Sequence, residues 1–270
     1  MIAKAVLISA SICTVCSASI RSGMAAADWI TASETCEPGK PVRTAIRLVI
    51  DEHWHTYWEN PGDSGMKISV TWDLPAGWQA GELEHPVPGR FQTGELPSFG
   101  YEGTVVFPVA LTPPADFAGT AKLRGKISWL TCNADKCVPG NAGLELPLRA
   151  GPPAATEAAK WIDEALKKIP RPLPGLTLHV TEKPETLLLS LTANPSETFR
   201  PNHYEIFPAT PEVVDAAAKF NFTSTGNSWD AEVPKSDYAV APVKKLALVL
   251  AGKAGRAPIS LSWMACQKPE

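Results

Sequence analysis

The sequence has no surplus of positive charge. Its 270 residues set 25 Lys and Arg against 28 Asp and Glu, a formal net charge of -3, so there is no basic footprint for phosphate backbones and nucleic acid is excluded as a partner. Past the opening residues no apolar run reaches 18, and nothing there is expected to span a membrane. The chain has no G-x-S-x-G elbow, no glycine-rich phosphate loop and no metal-protease helix, which makes an enzyme acting on small metabolites the poorer reading. The carboxylate pair Glu82 and Glu84 lies in a polar Gly-rich stretch and reads as a solvated strand or turn. Cysteine is scarce as well, six in all, and no second C-x-x-C or H-x-x-x-H completes a zinc site. No cofactor and no resident metal are expected.

What is present begins with a leader. Lys4, an apolar run from Ala5 to Ile20 and the small residues Ala25-Ala26-Ala27 ahead of Asp28 follow the order of a cleaved secretory signal, residues 1–27. Its removal leaves 23 basic against 28 acidic residues and takes away Cys13 and Cys16. Four cysteines remain, Cys36, Cys132, Cys137 and Cys266, in a chain bound for an oxidising space where disulfides persist.

From Val42 to Leu148, short β-rich runs divided by Pro and Gly turns predict an antiparallel sandwich. In "AKLRGKISWL", Leu123, Gly125, Ile127 and Trp129 fall on one face and Lys122, Arg124 and Lys126 on the other, the alternation of a half-buried strand. The segment 151–175 holds two proline clusters around one helical pattern. Thr156 is its expected N-cap, Trp161, Ile162, Ala165, Leu166 and Ile169 its shared face, and Pro170 its end. Strand-like runs resume at Leu176. The fold class predicted is all-β: an immunoglobulin-like sandwich over 28–150, a Pro-rich linker with one short helix over 151–175, and a second immunoglobulin-like sandwich over 176–270. The stretch "PEVVDAAAK" is expected as one helical turn or as a loop covering a sheet edge.

The chemistry gathers in "WLTCNADKCVPG", Trp129 to Gly140. Two cysteines that exchange disulfides must be reachable, must form a thiolate and must lie close enough for one to resolve the other's mixed disulfide. Cys132 and Cys137 meet the proximity condition across a polar hairpin tip, with Lys136 favouring a thiolate at Cys137 and Asp135 opposing it. Three readings stay open at this point. The pair is a structural staple closing a short loop, worth roughly 2–3 kcal/mol on the chain-entropy model; or it is an exchange site; or it takes copper(I), with Met264 or the pair His53 and His55, two apart on one strand face, assisting.

Several blocks together resemble a known family: "HWHTYWENPGDSG" (53–65), "WDLPAGWQAGELEHPVPGRF" (72–91), "FGYEGTVVFPVALTP" (99–113) and "LTCNADKCVPGNAGLELPL" (130–148). They are similar to the amino-terminal periplasmic domain of the thiol:disulfide interchange protein DsbD, in the two-sandwich form of ScsB-type reductases. A weaker echo lies at "YEIFPATPEVVDAA" (204–217). The resemblance implies a soluble periplasmic module that passes reducing equivalents through a dithiol at Cys132 and Cys137, with Cys137 forming the intermolecular disulfides. It implies a membrane-embedded thiol relay protein as electron donor and thioredoxin-like or disulfide isomerase-like periplasmic proteins as acceptors. It also implies an aromatic cap: Phe91 falls at the shielding position, Tyr57 at a pocket position, and His55 replaces an aromatic at another. Four residues separate the cysteines here where related sequences commonly show three or five, and the chain carries no relay of its own, so electrons are expected from another protein. Cys36 and Cys266 belong to no family motif; a structural disulfide between them is expected to close a loop of about 230 residues, worth roughly 4–5 kcal/mol. A non-enzymatic binding or chaperone-like module with 132–137 as staple is the alternative.

Overall fold

A computed structural model describes residues 19–194, 199–226 and 228–265. The chain forms two sandwiches, each of two sheets. In the first, a five-stranded sheet runs in the spatial order Ile20–Ser22, Ala25–Thr31, Val42–Ile50, Thr104–Thr112, Gln79–Ala80. It faces a seven-stranded sheet in the order Thr35–Cys36, Cys137–Ala150, Thr120–Cys132, His55–Gly62, Leu96–Glu102, Gly89–Thr93, with Ser69–Asp73 also paired to Thr120–Cys132. The second sandwich is built from two four-stranded sheets. This is the all-β, immunoglobulin-like architecture that the alternation predicts.

The longest feature is the hairpin of Thr120–Cys132 and Cys137–Ala150, paired without a break from Thr120 opposite Arg149 to Cys132 opposite Cys137. Leu123, Ile127 and Trp129 are buried in the core while Lys122, Arg124 and Lys126 face water. The expected face is the observed one. Trp129 stands opposite Gly140, where an added Cβ would come within 2.4 Å of the indole; only glycine lets the ring lie across the partner strand.

The helix spans Ala159–Leu166 and starts at Ala158 with no side-chain cap. Thr156, the expected cap, instead donates its hydroxyl to the Thr31 carbonyl, while its own carbonyl accepts from Ala159 N. It ties the linker to the first sandwich rather than closing the helix. Ile162 and Ala165 are buried, Ile162 against Ile30, Ala32 and Ala45, but Trp161 lies outside that face, with the Arg47 guanidinium 4.4 Å from its ring centroid. The "PEVVDAAAK" stretch is a loop, its Val214 bridged to Lys235 and its Val214, Ala216 and Ala218 buried.

Two observations differ from the expected boundaries. Ala25 and Ala27 are fully buried, paired in register with Ile50 and Leu48, and Asp28 is buried with its carboxylate on Arg47. Small side chains suit these buried positions. A cut after Ala27 would remove Ile20–Ser22 and the start of Ala25–Thr31, so the first sandwich includes residues assigned above to the leader. The linker, likewise, does not isolate the second sandwich: Phe207, Ala216 and Val249 belong to the first sandwich's core cluster. Phe207 sits 6.2 Å from Trp58 and 5.6 Å from Phe99 between ring centroids, both edge-on. Asn60 donates to the Pro208 carbonyl at 2.8 Å.

Candidate functional site

The strand alternation that buries Trp129 brings Cys132 to the last position of its strand, where its nearest cross-strand neighbours are Cys137 on one side and His55 on the other. The two cysteines are disulfide-bonded with their Cα atoms 4.0 Å apart. The turn between them is held by Asn133. Its Oδ1 accepts from Asp135 N at 3.0 Å and Lys136 N at 2.9 Å, and its own N donates to the Lys136 carbonyl at 3.0 Å. This is a side chain mimicking a backbone turn, and it fixes the hairpin tip independently of the sulfurs. Lys136 turns its ammonium toward the Trp54 ring, 5.8 Å from the centroid.

The pair is unequal. Cys132 has no exposed surface, whereas Cys137 is exposed. A thiol or thiolate arriving from solvent meets Cys137 first.

Residues paired directly across antiparallel strands present side chains to the same face, and so do residues two apart along a strand. Cys132, His55 and Tyr57 therefore share one face of the sheet. Phe91 and Thr93, two apart on the edge strand Gly89–Thr93, close over it. The Phe91 ring stacks on His55 with centroids 5.0 Å apart and planes 10° from parallel. Tyr57 meets His55 edge-on at 5.3 Å. The Thr93 hydroxyl lies 3.1 Å from His55 Nε2, 3.1 Å from the Tyr57 hydroxyl and 3.4 Å from Ser98 Oγ. Cys132, Cys137, His55, Tyr57 and Phe91 thus lie together, joined by Thr93, which the sequence did not single out. Its only trace in the sequence is its place two residues after Phe91, on the same strand face.

Burial pushes the His55 pKa below its usual value, with Glu102, its neighbour on the other side, pulling weakly the other way. The imidazole is neutral at pH 7 and behaves here as a flat, apolar platform for Phe91 with one polar edge on Thr93. Room for the aromatic rings comes from glycines. A Cβ on Gly65 would collide with the Tyr57 ring at 2.1 Å, and one on Gly89 would touch Phe91 at 3.2 Å.

One expectation does not survive in this geometry. His53 does not share a strand face with His55: it has φ 67, precedes the strand His55–Gly62 and is exposed, because the chain turns before entering the sheet. Met264 lies at the end of Ile259–Met264 in the second sandwich, exposed, and no group of three metal-binding side chains occurs among the described residues. Cys36 is a buried thiol whose pKa is raised by that burial, with no disulfide partner among the described residues. Cys266, its expected partner, lies outside them.

The segment assigned to the leader supports this site. Met24 N donates to Thr131 Oγ1 at 3.3 Å, Thr131 Oγ1 donates to the Val138 carbonyl at 3.0 Å, and Asn141 N donates to Ser22 Oγ at 3.1 Å. Residues 22–24 buttress the cysteine hairpin directly.

The comparisons with known proteins bear on the fold and the family. Over 91% of this chain and 94% of the other, the fold matches the crystal structure of the N-terminal periplasmic domain of ScsB from Proteus mirabilis, with a TM-score of 0.65 and 20% identity. The sporulation control protein Spo0M from Bacillus subtilis aligns over 90% of this chain and 91% of its own at 10% identity, but its TM-score of 0.22 carries no argument. No curated protein sequence matches the chain. Among the described residues no helix is long and apolar enough to cross a membrane. Residues 26–148, most of the first sandwich with its cysteine hairpin, match the family described as thiol:disulfide interchange protein DsbD, N-terminal, and that part of the chain belongs to the DsbD amino-terminal domain family.

Proposed function

We propose that this chain is a periplasmic thiol:disulfide interchange module whose working pair is Cys132 and Cys137 and whose attacked sulfur is Cys137. The inequality of the two sulfurs carries the reading: one is exposed at a hairpin tip and the other is sealed behind it against His55. A donor thiolate attacks Cys137 Sγ, a mixed disulfide forms, and the bond to Cys132 breaks with Cys132 leaving as thiolate. A second donor thiol then displaces Cys137, so the donor leaves as a disulfide and this chain holds two thiols. Run in reverse, the dithiol reduces an oxidised partner. Two electrons move in either direction and no cofactor is required.

Phe91 is the cap in this proposal: stacked on His55, the cross-strand neighbour of Cys132, it covers the Cys132 side of the pair, so that a partner must displace it to reach both sulfurs. The donor is a membrane-embedded thiol relay protein, and the acceptors are thioredoxin-like or disulfide isomerase-like proteins. The leader is cut upstream of Ile20, since residues 20–27 are sheet. The same proposal gives Cys36 and Cys266 a structural disulfide. Peptide mapping without reduction would recover those two peptides joined, and a Cys36 thiol that alkylates on unfolding would overturn it.

The test of exchange combines titration and trapping. The oxidised protein is equilibrated with glutathione buffers, and the Cys132→Ala variant is incubated with periplasmic extract. A potential within the range of exchanging dithiols, together with mixed disulfides through Cys137, is expected. A potential below about -300 mV with nothing trapped would reduce the pair to a staple.

A further inference from the structure

The edge strand Gly89–Thr93 presents two faces. Phe91 and Thr93 lie on His55 and Tyr57, and the intervening Arg90 points the opposite way, into the second sandwich. Its guanidinium meets that domain through hydrogen bonds and ring contacts together. Nε donates to Glu205 Oε1 at 3.1 Å, Nη1 to the Ala216 carbonyl at 3.0 Å and Nη2 to the Ile206 carbonyl at 2.8 Å. The charged plane also lies 4.9 Å from the centroid of Phe207 in the second sandwich and 5.1 Å from that of Phe99 in the first. A planar fork with separate donors suits this arrangement of two backbone carbonyls and a carboxylate; a lysine would satisfy one of them. Both carbonyls belong to buried residues, so the contacts are anchored on core positions.

Within its own sandwich the strand is held by its ladder to Leu96–Glu102 and by the contacts of Phe91 and Thr93. It is the outermost strand of its sheet, bonded on one side to Leu96–Glu102, and Phe91 is only half-buried. The glycines at 89 and 94 flank it. An edge strand with one hydrogen-bonded neighbour opens more readily than an inner one, and here contacts from another domain add to those that oppose opening.

We infer that Arg90 is a positioning residue through which the second sandwich holds the Phe91 cap shut over the Cys132–Cys137 pair. The inference rests on the cap reading given above. It makes the second sandwich the keeper of the cap, since a partner that pulls the Arg90 fork off Glu205, Ile206 and Ala216 would release Phe91 without touching the sulfurs.

The experiment uses the full oxidised chain and measures the rate at which reduced glutathione opens the Cys132–Cys137 disulfide. If reaction occurs from the uncapped state, the rate follows the uncapped population. Losing the charged hydrogen bonds of Arg90→Ala is expected to accelerate opening on the order of tenfold, with Arg90→Lys and Glu205→Gln giving smaller increases. The sign separates the latch from a field effect. Glutathione is an anion, so removing a nearby cation alone would slow its approach. Phe91→Ala should accelerate opening at least as much, and Arg90→Ala added to Phe91→Ala should add nothing. An unchanged or slower rate in Arg90→Ala, or an equal acceleration on the Phe91→Ala background, would overturn the latch. No acceleration in Phe91→Ala itself would instead sink the cap reading on which the latch stands. The urea midpoint of each variant identifies any general loosening, and Glu205→Gln, which keeps Arg90 and both carbonyl contacts, serves if Arg90→Ala folds poorly.

Discussion

At the scale of single residues, burial has been spent on histidine as well as on cysteine. His85 is packed edge-on against Phe107 at 5.4 Å, its Nδ1 has no hydrogen-bond partner among the described residues, and burial with help from Lys67 pushes its pKa down to about 4. In the unfolded chain the same group titrates near 6.5. Below that value the unfolded state takes up a proton that the folded state refuses, so stability falls as pH drops from about 6.5 and levels off below about 4. The loss assignable to His85 is on the order of 3 kcal/mol. His55, whose pKa is also lowered by burial, acts in the same direction. Urea titrations between pH 7 and 4 are expected to show this decline, and His85→Phe to flatten part of it. A decline of equal depth in His85→Phe would assign the acid sensitivity elsewhere.

Most single-residue roles at the site were legible only where chemistry or pattern marks them. Two cysteines near a polar tip announce themselves, and the family blocks pointed to Phe91, Tyr57 and His55. Thr93 and Arg90 carry no such mark. Thr93 matters because two neighbouring strands bring His55, Tyr57 and Ser98 to its hydroxyl, and Arg90 because residues 115 to 126 positions later in the chain meet its guanidinium. Contacts between segments far apart in sequence leave no local periodicity to read. His53 was misplaced for the converse reason: "HWHTYW" has strand composition, but the backbone turns at His53 before the ladder begins.

At the scale of elements, the hairpin Thr120–Ala150 was almost fully legible because alternation is a local property and the strands are long. Its energetics follow from its geometry. Asn133 and the unbroken ladder close the tip without the sulfurs, and the disulfide spans a separation of only 5 residues. Reducing it should therefore lower stability by roughly 2 kcal/mol and leave the fold intact, as an exchange site requires. Urea unfolding with and without reductant measures this; collapse of the sandwich on reduction would mark the bond as a structural staple. Gly140→Ala is expected to cost a comparable amount. Its Cβ would press into the Trp129 indole, and overpacking of this kind costs about 1–3 kcal/mol, read as a shift in the same urea midpoint.

The start of the first sandwich was the least legible element. Alanine in series is the composition of a cleavage site and equally of a tightly packed strand, and only the pairing of Ala25 with Ile50 and Ala27 with Leu48 separates the two. The intact mass of the exported protein is expected to place its first residue upstream of Ile20; a protein beginning at Asp28 would lack the Ser22 and Met24 contacts to the hairpin.

At the scale of the whole molecule, the sequence predicts two sandwiches joined by a proline-rich linker, and composition gives no sign of a shared core. Phe207 explains why they are not independent: it is fully buried, and its ring is packed edge-on against Trp58 and Phe99 of the other sandwich. Truncating such a residue to alanine costs about 3–5 kcal/mol. The intact chain is expected to unfold in one calorimetric transition, and Phe207→Ala to separate it into two. Two transitions already present in the unaltered chain would mean that the shared core contributes little coupling.

The burial of Cys132 behind an exposed Cys137 has a consequence for traffic. A relay with two accessible sulfurs can be met by one protein on each side, whereas here every visitor must bond to the same atom. Donor and acceptor then compete for a single berth and call in alternation, so turnover should follow ping-pong kinetics with each substrate inhibiting the other at high concentration. Under the proposed function the molecule is a ferry between them, carrying one electron pair per crossing.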